Sequence, residues 1–289
     1  MRPHDAFTRS SPSWPEGGVA SSDAVKRRVA LLTLTTYTRG MRNRLSLLLV
    51  VVLAARSAPA VAQAPAATPP RIDFKIDRTA EIPPSQPFYM GREIAQTMHY
   101  SGAPWLVRES RQREEDCRQL IEALAIQPGQ VVCDMGCGNG FYTLELAQLV
   151  GPTGEVYAVD IQPPMLKMLS GRAAVAGLVN IKPVLGTVID PRLPDESIDM
   201  VLCVDVYHEF SHPVEMLARI RECLTDEGQL VLAEFRGEDP AVPIKPLHKM
   251  TKAQAQLELE ANGFELAREY DRLPWQHLMF FKVRDEAAE

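Results

Sequence analysis

Cysteine is scarce in this chain and badly spaced for chemistry. Its five cysteines, Cys117, Cys133, Cys137, Cys203 and Cys223, form no Cys-x-x-Cys pair and are odd in number. That argues against a disulfide framework, and no metal site is expected. Positive charge is also short. The chain carries a formal charge of −6, and without residues 1–62 the remainder holds 22 basic and 34 acidic side chains, a charge near −12. Such a chain lacks the electrostatic footprint of a nucleic-acid binder, so DNA and RNA fall low among its partners. The apolar run Leu45 to Ala55 is too short for the roughly 20 residues that span a bilayer. No internal repeat is apparent.

The surroundings of that run do carry a message. Arg42-Asn-Arg44 precedes it and Ala60-Val61-Ala62 follows, the layout of a secretory signal peptide with Met41 as the expected start. Export to a periplasmic or extracellular space is the expectation, with no stable membrane span after cleavage. A buried helix, a short membrane anchor and a cytoplasmic location are the alternatives. The division expected is an extension and signal at 1–62, an Ala/Pro-rich linker at 63–87, a helical lead-in at 88–126 and a main domain at 127–285. Within the lead-in, helices are expected at Arg92 to Tyr100 and Arg108 to Ala125, separated by Ser101-Gly-Ala-Pro104.

From Val131 onward strands and helices alternate. Strands are expected at Val131 to Cys133, Glu155 to Asp160, Ile181 to Leu185, Ser197 to Val204 and Gln229 to Glu234, with a closing antiparallel pair at Phe264 to Tyr270 and His277 to Val283. The order predicts an α/β, Rossmann-like, doubly wound, mostly parallel seven-stranded sheet with an antiparallel C-terminal strand. Pro183 cannot donate a ladder hydrogen bond, which suits an edge strand. Thr251-x-x-Gln254 is a candidate capping box.

The densest signal is Asp134-x-Gly136-x-Gly138-x-Gly140, between the first strand and a helix. Glycines there permit unusual dihedrals and close approach of a ligand to free helix-start amides. Dinucleotide folds favour Gly-x-Gly-x-x-Gly; here the third glycine comes one residue early. Asp134, at a strand's carboxyl end, would pair with an ammonium group and repel a pyrophosphate. Asp160, twenty residues beyond Gly140, is placed to accept both hydroxyl hydrogens of a ribose, with Ile161 beside it for an adenine ring.

This pattern resembles motif I of class I S-adenosylmethionine-dependent methyltransferases, over about Gln127 to Val283. The resemblance implies S-adenosyl-L-methionine as cofactor, with Asp134 and the three glycines at its methionine end. Thr187 stands where family members often carry an acidic residue for the adenine amino group; its hydroxyl is a substitute, and a plain loop is the alternative. Asp205-Val-Tyr207-His208-Glu209 resembles the motif after strand four in small-molecule methyltransferases, including the quinone C-methylating group. It implies Asp205 near the cofactor and His208 or Glu209 as acceptor of a substrate proton, since histidine titrates near physiological pH. Packing beside the cofactor is the other role open to Tyr207 and His208. The Asn/Asp-Pro-Pro-Tyr/Phe signature of amino-group methylation is missing. An arginine of the lead-in, Arg92, Arg108 or Arg111, would suit the methionine carboxylate; surface charge on an amphipathic helix is the alternative. The expected activity is methyl transfer to a small molecule. An aminopropyltransferase resembling spermidine synthase and an exported, non-catalytic cofactor binder are the rivals.

Overall fold

The computed structural model describes residues 82–284. The expected signal segment and all but the last residues of the expected linker lie outside that range. Among the described residues no helix is long and apolar enough to cross a membrane.

The strands are β1 (Phe88–Tyr89), β2 (Arg92–Glu93), β3 (Val131–Met135), β4 (Glu155–Asp160), β5 (Ile181–Leu185), β6 (Ile198–Val204), β7 (Leu224–Phe235), β8 (Phe264–Tyr270) and β9 (Gln276–Val283). The first two make a small hairpin; the other seven form one sheet in the order β5-β4-β3-β6-β7-β9-β8. β5 through β7 pair in parallel and β9 runs antiparallel to both neighbours. Pro183 sits on β5, at the edge, as its missing donor requires.

Both faces of the sheet are apolar because both are covered. Residues of strands alternate between faces. Thus Met200, Leu202, Val231, Ala233, Leu278 and Phe280 face the helices α3 (Cys117–Leu124), α4 (Phe141–Val150) and α5 (Pro163–Ala176). Val201, Cys203, Leu230, Leu232, Met279 and Phe281 face α6 (Pro213–Cys223) and α7 (Lys252–Ala261). A fully buried Leu or Phe contributes about 1.5–3 kcal/mol to folding, so this double layer supplies most of the driving force. All five cysteines are buried free thiols.

The lead-in departs from the helices expected. Arg92 to Tyr100 forms no α-helix: after β2 the chain runs without regular structure to a 3₁₀ turn at Tyr100–Gly102, with Ala95 N–H donating to His208 O and Met98 N–H to the Glu209 carboxylate. These long-range bonds replace intrahelical ones. Ser101 to Pro104, expected as a break, instead enters α1 (Ala103–Leu106), where Pro104 occupies a first-turn position that needs no donor. The stretch 108–125 divides into α2 (Arg111–Glu115) and α3 at Asp116, whose left-handed φ of 48° ends one helix while its carboxylate caps the next.

The capping box at Thr251 forms by half. Its side chain accepts from Gln254 N–H at 3.1 Å, but the Gln254 amide turns away to Met90 O and Glu258. Thr251→Ala is therefore expected to lower stability by about 1 kcal/mol, read as a lower denaturant midpoint at unchanged slope.

Candidate active site

β3 is central: the chain runs from it outward through β4 to the edge strand β5, then crosses back to β6 on its other side. At that switch the carboxyl ends of the strands open a crevice, the usual ligand position in such sheets. A cavity of about 550 Å³ lies there, within the range of small-molecule sites. Met135, Gly136 and Gly138 line it from the loop after β3, Asp160 and Ile161 from the end of β4, and Asp205, His208 and Glu209 from the segment after β6.

The glycine loop is held from several sides. Gly138 adopts φ +53°, and a Cβ there would sit 2.5 Å from Leu106 Cδ1; at Gly140, φ +84°, it would sit 2.2 Å from Leu169 Cδ1. Both conformations disfavour a side chain, and at Gly140 the buried Leu169 crowds the position as well. Gly138 N–H donates to Asp160 Oδ2 at 3.0 Å, and Gln162 N–H to Oδ1 at 2.8 Å. A carboxylate offers about four lone-pair sites, so Asp160 keeps capacity for hydroxyl donors in the cavity. Burial raises its pKa, opposed by these backbone donors.

Asp134 departs from its expected place. It does not line the cavity; it shares the α4 side of β3 with Val132, and Thr143 donates to its Oδ2 at 2.5 Å. Burial pushes its carboxyl up to about 6, against the pull of Thr143 and Arg111. Its side-chain partner is therefore on α4 rather than in the glycine loop. Gly140 likewise lies behind the wall rather than on it. Thr187 lines the cavity, yet its hydroxyl closes a local turn, accepting from Asp190 N–H at 3.0 Å and donating to Asp190 O at 3.3 Å.

Asp205 has a left-handed φ of 53°, and both its oxygens accept from the Gln276 side chain at 2.9 Å. Burial and the carboxylates of Glu115 and Glu234 push its pKa well above the ordinary range. Arg92 and Arg108 are paired with carboxylates, Glu258 for the first and Glu114 and Glu115 for the second. Arg111 both pairs with Glu115 and lines the cavity.

His208 is 2 % exposed. Its Nδ1 lies 2.6 Å from Glu234 Oε2, and its Nε2 lies 3.1 Å from His248 Nδ1. Burial lowers its pKa, but the Glu234 charge outweighs this and leaves it raised. Glu209 is pushed up to about 7 by burial, against His208 and the Met98 N–H. Glu234 is the residue sequence reasoning missed. It was legible only as one carboxylate at the end of the apolar strand Leu230-Val-Leu-Ala-Glu234. His248 lies in a turn beyond β7, and its contact with His208 has no local sequence signal.

The arrangement gathers the glycine loop and Asp160 around one space with Asp205, an imidazole and a protonatable carboxyl from the segment after β6. The donor set fits an adenosine-bearing cation better than a pyrophosphate: Asp160 offers oxygen acceptors, Asp205 adds a further acid, and Ile161, Met165 and Leu106 give apolar wall.

Comparison with known proteins agrees. The family described as methyltransferase domain matches residues 126–276. Nocamycin O-methyltransferase of Saccharothrix syringae is 32% identical over 115 residues, 40% of this chain and 41% of that protein. The ubiquinone/menaquinone biosynthesis C-methyltransferase of Ectopseudomonas mendocina is 32% identical over 119 residues, 41% of this chain and 46% of that protein. The chain thus spans less than half the length of these curated relatives. A SAM-dependent methyltransferase structure from Aquifex aeolicus superposes with a TM-score of 0.61 at 23% identity, covering 65% of this chain and 100% of that one, a likeness of fold.

Proposed function

Because the chain belongs to the methyltransferase domain family through residues 126–276, we propose that it transfers a methyl group from S-adenosylmethionine to a small molecule held in this cavity. The observation that carries the reading is that Asp160, the glycine loop, His208 and Glu209 all line one 550 Å³ space. When bound, S-adenosylmethionine supplies a methyl group already activated by its sulfonium. The protein's task is then placement and exclusion of water. Asp160 would hold the ribose, Ile161 and Met165 the adenine, and the loop at Gly136 and Gly138 the methionine portion. Asp205 would lie toward the amino group. His208 or Glu209 would take the proton of an acidic hydroxyl or thiol acceptor. The acidic charge of the chain favours such an acceptor over nucleic acid.

Calorimetry of the protein with S-adenosylhomocysteine is expected to show one saturable site, and no binding at millimolar ligand refutes the reading. Asp160→Ala removes a carboxylate that serves both loop and ligand. Losing hydrogen bonds to a charged group costs about 1.5–3 kcal/mol, so affinity is expected to fall by roughly tenfold to a hundredfold. An unchanged affinity would move the ribose away from Asp160.

Export belongs to the same reading, supported by the charged, apolar and small-residue succession from Arg42 to Ala62. N-terminal sequencing of the native protein is expected to give a chain beginning after Ala62. A mature chain starting at Met1 or Met41 refutes cleavage.

A further inference from the structure

We infer that His208, Glu209 and His248 form a binding site for a divalent first-row transition ion of the zinc class. The cysteine spacing led to the opposite expectation; the donors here are two histidines and a carboxylate, from two segments 40 residues apart. His208 and Glu209 lie on the 3₁₀ turn Tyr207–Glu209 after β6, and His248 ends the turn Pro246–His248 beyond β7. The fold brings one ligand atom from each within 4.8 Å of the others.

The distances suit a small divalent ion, and the donor types select its class. His208 Nε2 and His248 Nδ1 are 3.1 Å apart, and Glu209 Oε1 lies 4.0 Å from the first and 3.9 Å from the second. A point equidistant from all three lies about 2.1 Å from each, the bond length of zinc to histidine nitrogen and carboxylate oxygen. Magnesium and calcium favour all-oxygen sets, whereas imidazole suits zinc and its first-row neighbours. Three protein donors leave coordination open, the form of a catalytic rather than a closed structural site.

The surrounding contacts prepare the donors. Glu234, fully buried, takes the Nδ1–H of His208 at 2.6 Å. The outer nitrogen of a metal-bound histidine is commonly held by a carboxylate in this way, which turns the other nitrogen's lone pair toward the ion. Glu209 is steadied by Met98 N–H at 3.2 Å, and the backbone of His208 by Arg92 and Ala95. All three ligands line the cavity, so the open positions face it. That an acceptor's anionic oxygen or sulfur meets the ion there rests on the proposed function, and with the ion bound His208 and Glu209 serve as its ligands rather than as proton acceptors; the ion site itself rests on the donors alone.

The test uses the full chain, stripped with a chelator and titrated with zinc chloride against a chromophoric competitor. One equivalent is expected to bind at micromolar zinc or below. His248→Ala and Glu209→Gln are each expected to abolish that binding, Glu234→Gln to weaken it about 10–100-fold, and the exposed His99→Ala to leave it unchanged. Zinc-edge X-ray absorption of the loaded wild-type protein is expected to show a nitrogen and oxygen shell with scattering from two imidazoles. No saturable binding, binding unchanged in both ligand variants, or fewer than two imidazoles around the ion overturns the site. S-adenosylhomocysteine affinity, measured on the same samples, reports folding and tests the methyltransferase reading separately. A protein that binds that ligand but not zinc loses only the ion site.

Discussion

His208→Ala is expected to lower methyl transfer by about 10²–10⁴-fold while leaving the affinity for S-adenosylhomocysteine unchanged. The imidazole hydrogen-bonds to Glu234 and His248, whereas Gly138 of the glycine loop bonds to Asp160. The cofactor wall therefore survives its removal. The backbone turn survives as well, since Arg92 and Ala95 hold the carbonyl of residue 208 rather than its ring. What goes is the one nitrogen that faces the cavity with a buried carboxylate behind it. Glu234→Gln keeps the imidazole but removes the charge that orients it, so a smaller loss is expected, confined to kcat. The measurement is turnover with methyl-labelled cofactor, using the acceptor identified by labelling an extract of the source organism. Unchanged turnover in His208→Ala would remove this residue from the chemistry. Loss of cofactor affinity together with turnover would show that it only packs.

Much of this site could be read from the sequence because its signals are local. The strand, glycine loop and helix from Val131 to Val150 lie within twenty residues, and periodicity plus glycine spacing determine them together. Asp160 follows from the same logic one strand later. What could not be read depends on neighbours in space. Glu234 and His208 are 26 residues apart and meet only because β6 and β7 pair in parallel, with Val204 beside Ala233. His248 joins them from a turn with no periodicity of its own. Asp134 is a different case. Alternation along β3 puts it on the same side as Val132, under α4, and this period was available in the sequence. The chemistry of an acid beside a glycine loop outweighed it.

The lead-in shows how tertiary bonds override local preference, and it carries the second large effect. Arg92→Ala is expected to destabilise the fold by about 3–5 kcal/mol. Its guanidinium grips both oxygens of Glu258 on α7 at 2.8 and 2.9 Å, and a third nitrogen donates to His208 O at 2.9 Å. Glu258 is fully buried, with Tyr207 and Gln254 as its other donors, both neutral. Burial alone lowers the pKa of Arg92, and Glu258 more than restores it, so the two charges depend on each other. Removing one leaves a carboxylate in an apolar interior with no cation, and that orphaned charge rather than the lost attraction accounts for the size of the effect. The double variant Arg92→Met with Glu258→Leu removes both charges, and most of the stability is expected to return. Denaturant midpoints at constant slope decide the matter. A loss under about 1 kcal/mol in the single variant is the worth of a surface pair and would mean that backbone bonds alone dock the lead-in. A large loss repaired by the double variant would make residues 92–98 part of the same cooperative unit as the turn that holds His208. The segment before the matched domain would then be what keeps the proton-accepting wall of the cavity in place.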